Sequence, residues 1–158
     1  MNEQATSSYY AHTGNRADGK DWQTLKDHLT SVAQLAQTRA KAFGAADWAH
    51  LVGLLHDLGK YSQAFQKRLH GSNERADHAT AGAKVVVDHI VVIMGPQFLP
   101  LGKLLAFAIA GHHTGLADAA QLFNERLKKQ VNEWRSHAEA AGVPLDDRLP
   151  PPPLSRPD

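Results

Sequence analysis

From Asp21 to Phe43, apolar side chains recur at Leu25, Leu29, Val32, Leu35, Ala36, Ala40 and Phe43, with polar residues between them. That spacing predicts a helix with one buried stripe, closed by Gly44. A second helix follows, with Asp47 as its cap and Trp48, Leu51, Val52, Leu54, Leu55 and Leu58 as its apolar positions. Gly59 is its stop. Ser62 to Leu69 predicts a short helical piece, and 71–77 a polar loop. The segment from His78 to Met94 sends two signals. Val85 to Val87 and Ile90 to Ile93 are β-branched and favour a strand. Ala79, Ala81 and Ala83 favour a helix, as does the absence of any partner strand, and we read a helix. Leu101 to Ala110 predicts a buried helix. Ala117 to Ala141 predicts an amphipathic one, with Leu122, Phe123, Leu127, Val131 and Trp134 on one side and Gly142 as its end.

The pattern therefore predicts an all-α bundle of about five or six helices. An irregular polar arm over 1–20 precedes the main unit over 21–142, and a Pro-rich tail over 143–158, with Pro150 to Pro153 as a stiff polyproline run, follows it. The greasiest stretch, Val85 to Met94, is interrupted by Asp88 and His89 and is too short to span a bilayer. The N-terminus has no apolar signal region, so the chain reads as soluble and cytoplasmic, with no membrane partner.

Composition adds three facts. The net charge is +1, which gives no overall field pointing to nucleic acid or an anionic membrane. There is no cysteine, which excludes disulfides and thiolate metal sites. There are 10 histidines among 158 residues, and their placement matters more than their number.

His56 and Asp57 are adjacent at the end of an otherwise apolar helix. Burying two ionisable groups there is costly unless they are paired or hold a metal. Imidazole and carboxylate together make a mixed N/O ligand set suited to first-row transition metals. Further donors are available from other helices. His28 lies among Leu25, Leu29 and Val32, His78 follows Asp77 at a helix start, and His112 and His113 end the helix over 101–111. Neighbouring residues on a regular helix point about 100° apart, but a helix end can bring both rings to one pocket. Singly, each has a plain structural explanation; together they point to a metal site.

The ordered set His28, His56–Asp57 with Lys60, Asp77–His78 and His112–His113 resembles the HD phosphohydrolase superfamily. Within it, the text is similar to the HD nuclease domain of the CRISPR-associated nuclease-helicase of type I systems. The matching stretches are Tyr10 to His12, Asp21 to Leu29, Gly53 to Lys60, Phe65–Gln66, Asp77 to Ala83 and Gly111 to Leu116. The resemblance implies an HD helical bundle holding two divalent ions (Mn, Fe, Ni or Co, with Mg as another choice). It implies His28, His56 and a bridging Asp57 on one ion, and His78, His112 and His113 on the other. Such a pair activates water and offsets charge on phosphate. Asp57 is then the central catalytic carboxylate, and Lys60 a point charge for a phosphate oxygen or a cation complementing a helix end. The implied substrate is single-stranded DNA. The implied partners are a CRISPR helicase domain or subunit and the RNA-guided surveillance complex, and the implied setting is antiviral interference.

One feature departs from the pattern. The family ends with another Asp on a later helix, but Asp118 follows the double His too closely, and Asp146 and Asp147 sit before the prolines. The unit thus reads as one closing helix short. Two alternatives stay open: an HD phosphohydrolase acting on nucleotides, and an incomplete HD fragment serving as an interaction module. His12 has no implied role, and His50, His70 and His137 read as surface residues. Lys67, Arg68, Arg75 and Lys84 read as a solvated charged face or a track for a nucleic-acid backbone. Gly14 to Lys20 looks like a phosphate loop, but Asp21 stands where Ser or Thr is needed and no strand precedes it.

Overall fold

The structure is a computed structural model that describes residues 8–16, 18–113, 115–129 and 134–140. It is helical, as the periodicity predicts, with one small ribbon. Strand β1 (Tyr10–His12) pairs antiparallel with β2 (Gln23–Thr24). The helices are α1 (Leu25–Ala40), α2 (Ala46–Leu55), α3 (Gln63–Leu69), α4 (Ala79–Met94), α5 (Leu99–Gly111) and α6 (Trp134–Ala140). None is long and apolar enough to cross a membrane.

Local chemistry explains the boundaries. Thr24 starts α1 by accepting the N–H of Asp27 at 3.2 Å. Gly44, at φ 71°, ends the 3-10 turn that follows α1. Helix α2 stops at Leu55, earlier than Leu58, and a 3-10 turn over Leu58–Tyr61 carries the chain on. His56 and Asp57 occupy the corner between them. Ser62 caps α3. The β-branched run of α4 is helical, and the buried residues Ala79, Ala81, Ala83, Val85, Val86 and Ile90 lie along it. A strand would have had no partner for its backbone groups.

The predicted helix over 117–141 is not continuous. The chain makes a π-turn over Gln121–Glu125 and a 3-10 turn over Arg126–Lys128, and it is extended at Lys129 with ψ 142°. Helix α6 begins again at Trp134, and Gly142, read as the stop, lies outside the described residues. The apolar side of the prediction survives this break. Leu122 and Trp134 are both buried in the core, so the periodicity reported burial correctly and backbone geometry incorrectly.

Helix α1 packs along α2, and α4 along α5. Glycines set how close they come. A Cβ on Gly53 would lie 2.7 Å from Ala33 Cα, and one on Gly82 would strike the Leu55 carbonyl oxygen. Gly82→Ala is therefore expected to destabilise the chain by roughly 1–3 kcal/mol. An open helical site would instead gain about 1 kcal/mol from the same change. A urea midpoint higher than wild type would contradict the close approach.

Candidate metal centre

Asp57 is the hub, with a side chain only 2% exposed. Its two oxygens face different sets of nitrogens. Near Oδ2 are His28 Nε2 at 3.2 Å, His56 Nε2 at 3.1 Å and Lys60 Nζ at 2.8 Å. Near Oδ1 are His112 Nε2 at 3.2 Å, His78 Nε2 at 3.5 Å and His113 Nε2 at 4.0 Å. The fold thus brings together all six of the histidine and aspartate residues singled out as ligands, from α1, the α2 corner, the start of α4 and the end of α5.

Each element is shaped for this. The corner after Leu55 turns both His56 and Asp57 inward. Gly59 has no side chain, because a Cβ there would collide with the backbone of His78. Its N–H donates to the His78 carbonyl at 3.1 Å, fixing the start of α4 against the corner. At the end of α5, Gly115 (φ 80°) donates its N–H to Gly111 O at 2.8 Å. That helix end lets His112 and His113 both face Oδ1.

The rings are oriented from behind. His56 Nδ1 lies 2.7 Å from Gly53 O, and His112 Nδ1 2.6 Å from Ile109 O. A carbonyl only accepts, so these Nδ1 atoms carry the protons, and Nε2 of each neutral ring presents a lone pair. His28 Nδ1 donates likewise to Gln23 Oε1 at 3.2 Å. This leaves His28 Nε2 and His56 Nε2 only 3.2 Å apart. Lone pairs that converge on each other and on a carboxylate, with the rings oriented from behind, are the arrangement a bound cation would satisfy.

His78 gives the sharper test of fit. Both its ring nitrogens are buried, and neither has a hydrogen-bond partner among the described residues. Such orphaned atoms are costly. A proton does not resolve this, because burial first, and then Lys60 and the neighbouring histidines, outweigh Asp57 and push His78 down to about 4. A divalent ion beside Asp57 would give Nε2 its partner, since that nitrogen lies 3.5 Å from Oδ1. Four-residue and three-residue donor groups occur here, Asp57–His78–His112–His113 and His12–His28–Asp57. The residues fit a borderline transition metal bound through imidazole and carboxylate.

The remaining charges follow from the same crowding. Burial disfavours the Asp57 anion, but in the metal-free site hydrogen bonds from His112, His28 and His56, made when their rings carry a proton on Nε2 as well, outweigh it and hold the carboxyl far below its usual range. His112 is raised, because bonds to Asp57 and the Ile109 carbonyl outweigh burial, and His113 is lowered chiefly by burial. For His78 the folded value lies below the unfolded 6.5. Between about pH 6.5 and 4 the unfolded chain therefore binds a proton that the folded chain refuses. The metal-free protein is expected to lose stability as pH falls through that window, His112 offsetting part of the loss. Equal urea midpoints at about pH 7 and about pH 4.5 would contradict this.

Lys60 points inward. Its side chain is 3% exposed, and Nζ donates to Asp57 Oδ2 and to Ala11 O at 3.2 Å. His137, read as a surface residue, is partly buried: its Nδ1 lies 3.1 Å from Tyr61 O and its ring stacks on Tyr9. His50, read the same way, is half-buried and its Nδ1 is sealed from solvent. His70 is exposed and lies against Trp22. The phosphate-loop lookalike is closed off by its own Asp21, whose carboxylate accepts the N–H groups of Asn15 at 2.7 Å and Arg16 at 3.2 Å. Asp118 accepts the Gln121 N–H at 3.0 Å, and Asp146 and Asp147 lie outside the described residues.

The family model described as HD domain matches residues 25–148. A solved structure titled "Crystal structure of CRISPR-associated protein" superposes with a TM-score of 0.61 and 24% identity, covering 94% of this chain. The chain spans about a fifth of that protein, 20% of its length, and at this identity the likeness speaks for the fold. No curated protein matches.

Proposed function

The chain belongs to the HD domain family of metal-dependent phosphohydrolases, and on that footing we propose that it is a phosphodiesterase cutting single-stranded DNA in CRISPR interference. The observation that carries this reading is the division of Asp57. One buried carboxylate presents each oxygen to its own histidine set, the arrangement a bridging ligand between two divalent ions needs. Such ions, when bound, supply an activated water and offset the charge that develops on phosphate. The chain's own part is to hold the donors. His28, His56 and Asp57 serve one side, and His78, His112, His113 and Asp57 the other. Lys60 balances the Asp57 charge from the interior. His113 is half exposed, with a side chain at 52%, so the site opens to substrate on that side.

A partner helicase, fused or separate, and an RNA-guided surveillance complex would deliver the single strand. Support for that setting is the likeness to a protein titled CRISPR-associated and the motif set itself. Lys67 and Arg68, exposed on α3, and Arg75 in the loop before α4 could follow the backbone of the strand.

The test is cleavage by the purified chain of a single-stranded oligonucleotide beside a panel of nucleoside phosphates, with Mn2+, Co2+, Ni2+ or Mg2+ added. Metal-dependent cutting of the oligonucleotide is expected. Turnover of the nucleotides alone would assign the chain to the nucleotide phosphohydrolases instead. Metal binding without turnover of either would favour an interaction module.

A further inference from the structure

The N-terminal stretch read as an irregular arm is fastened to the metal centre at several backbone points. Gln66, itself buried, accepts the Tyr10 N–H at 3.1 Å and donates to Tyr10 O at 3.0 Å and Lys60 O at 2.8 Å. Lys60 Nζ donates to Ala11 O at 3.2 Å, and Leu25 N–H donates to Tyr9 O at 2.7 Å. Strand alternation then decides what each residue faces. Ala11 is buried at 1% exposure, and His12 takes the opposite face.

On that face His12 pairs with Gln23, across a register shift from the Tyr10–Thr24 pair, and Gln23 is the residue whose side chain orients His28. The His12 and His28 rings are 4.9 Å apart and nearly perpendicular. One ring nitrogen of His12, one of His28 and one Asp57 oxygen all lie within 4.8 Å of one another. Among the described residues, no carboxylate besides Asp57 joins either donor group. Among the described residues, the side of the site built on His28 and His56 thus has His12 as its further donor.

We propose that His12 is a further metal ligand on the His28 side, supplied from the N-terminal strand. This rests on the metal-dependent reading above. Core packing does not account for His12, because it is exposed. Two buried polar side chains, Gln66 and Lys60, hold its strand in place beside the site through their hydrogen bonds.

The experiment is Mn2+ binding to the full chain, followed by calorimetry and by metal content after desalting, with the visible spectrum of the Co2+-loaded chain as a ligand-sensitive readout. His12→Ala is expected to weaken one of two ions by about 10–100-fold, to alter the Co2+ bands and to leave the far-ultraviolet dichroism unchanged. His12→Asp is expected to recover most of the lost affinity. Wild-type affinity and an unchanged Co2+ spectrum in His12→Ala would overturn the role of His12 while leaving the metal centre intact. An Asp variant no tighter than the Ala variant would also count against ligation. A wild-type chain that takes up no Mn2+ would overturn the metal reading, and this one with it.

Discussion

Asp57→Asn is expected to reduce the proposed phosphodiester hydrolysis by a factor on the order of 10^4 or more, the scale seen when a principal catalytic group is lost. It is expected to remove Mn2+ uptake as well. The substitution is close to isosteric, so its effect is chemical. A carboxylate has a ligating oxygen for each histidine set, whereas an amide has one oxygen and one NH2 group that cannot ligate. Whichever way the amide turns, one side of the site loses its oxygen, and both lose the negative charge. Lys60 loses its ion-pair partner at 2.8 Å at the same time. Three measurements on one preparation check the account: rate, metal content and urea midpoint. A folded Asn variant that keeps both ions and the wild-type rate would falsify the bridging role.

The residues of this site were legible in the sequence because they are local anomalies. A His–Asp pair at the end of an apolar helix, and a His–His pair at another, break the surrounding pattern. Together they pointed to one metal site from the residues alone, and the family resemblance supplied their division between two ions. The helices of the main unit were legible from their buried stripes, even where β-branched residues in α4 argued for a strand. Three misreadings stand out. Strand β1 is three residues long and is held by Gln66, 56 positions away, so nothing in its own stretch announces it. His137 likewise meets Tyr61 from 76 positions away. The break after Leu122 has no Gly or Pro to mark it, and a π-turn keeps enough helical periodicity to pass for a continuous helix. Contacts between distant segments decide the first two, and a local pattern does not contain them.

Lys60→Met is expected to separate an internal role for this lysine from a role in binding phosphate. The ammonium is buried 2.8 Å from Asp57 Oδ2, bonded to Ala11 O and 5.2 Å from the centre of the Phe65 ring. Met keeps most of the volume and removes the charge. In the metal-free chain this leaves the buried Asp57 without its ammonium partner, which costs roughly 3–5 kcal/mol when one half of a buried pair is lost. Bound Mn2+ replaces the missing positive charge, and no ammonium then competes for the same oxygen. The rise in melting temperature on adding Mn2+ is therefore expected to be larger in Lys60→Met than in wild type, by linkage between binding and folding. Activity at saturating Mn2+ should fall mainly in kcat, because Lys60 acts by positioning Asp57 and β1. The opposite result is equally clear. A variant that melts like wild type without metal, yet shows a raised KM with kcat unchanged, would mean that Nζ reaches the substrate and that its interior bonds contribute little.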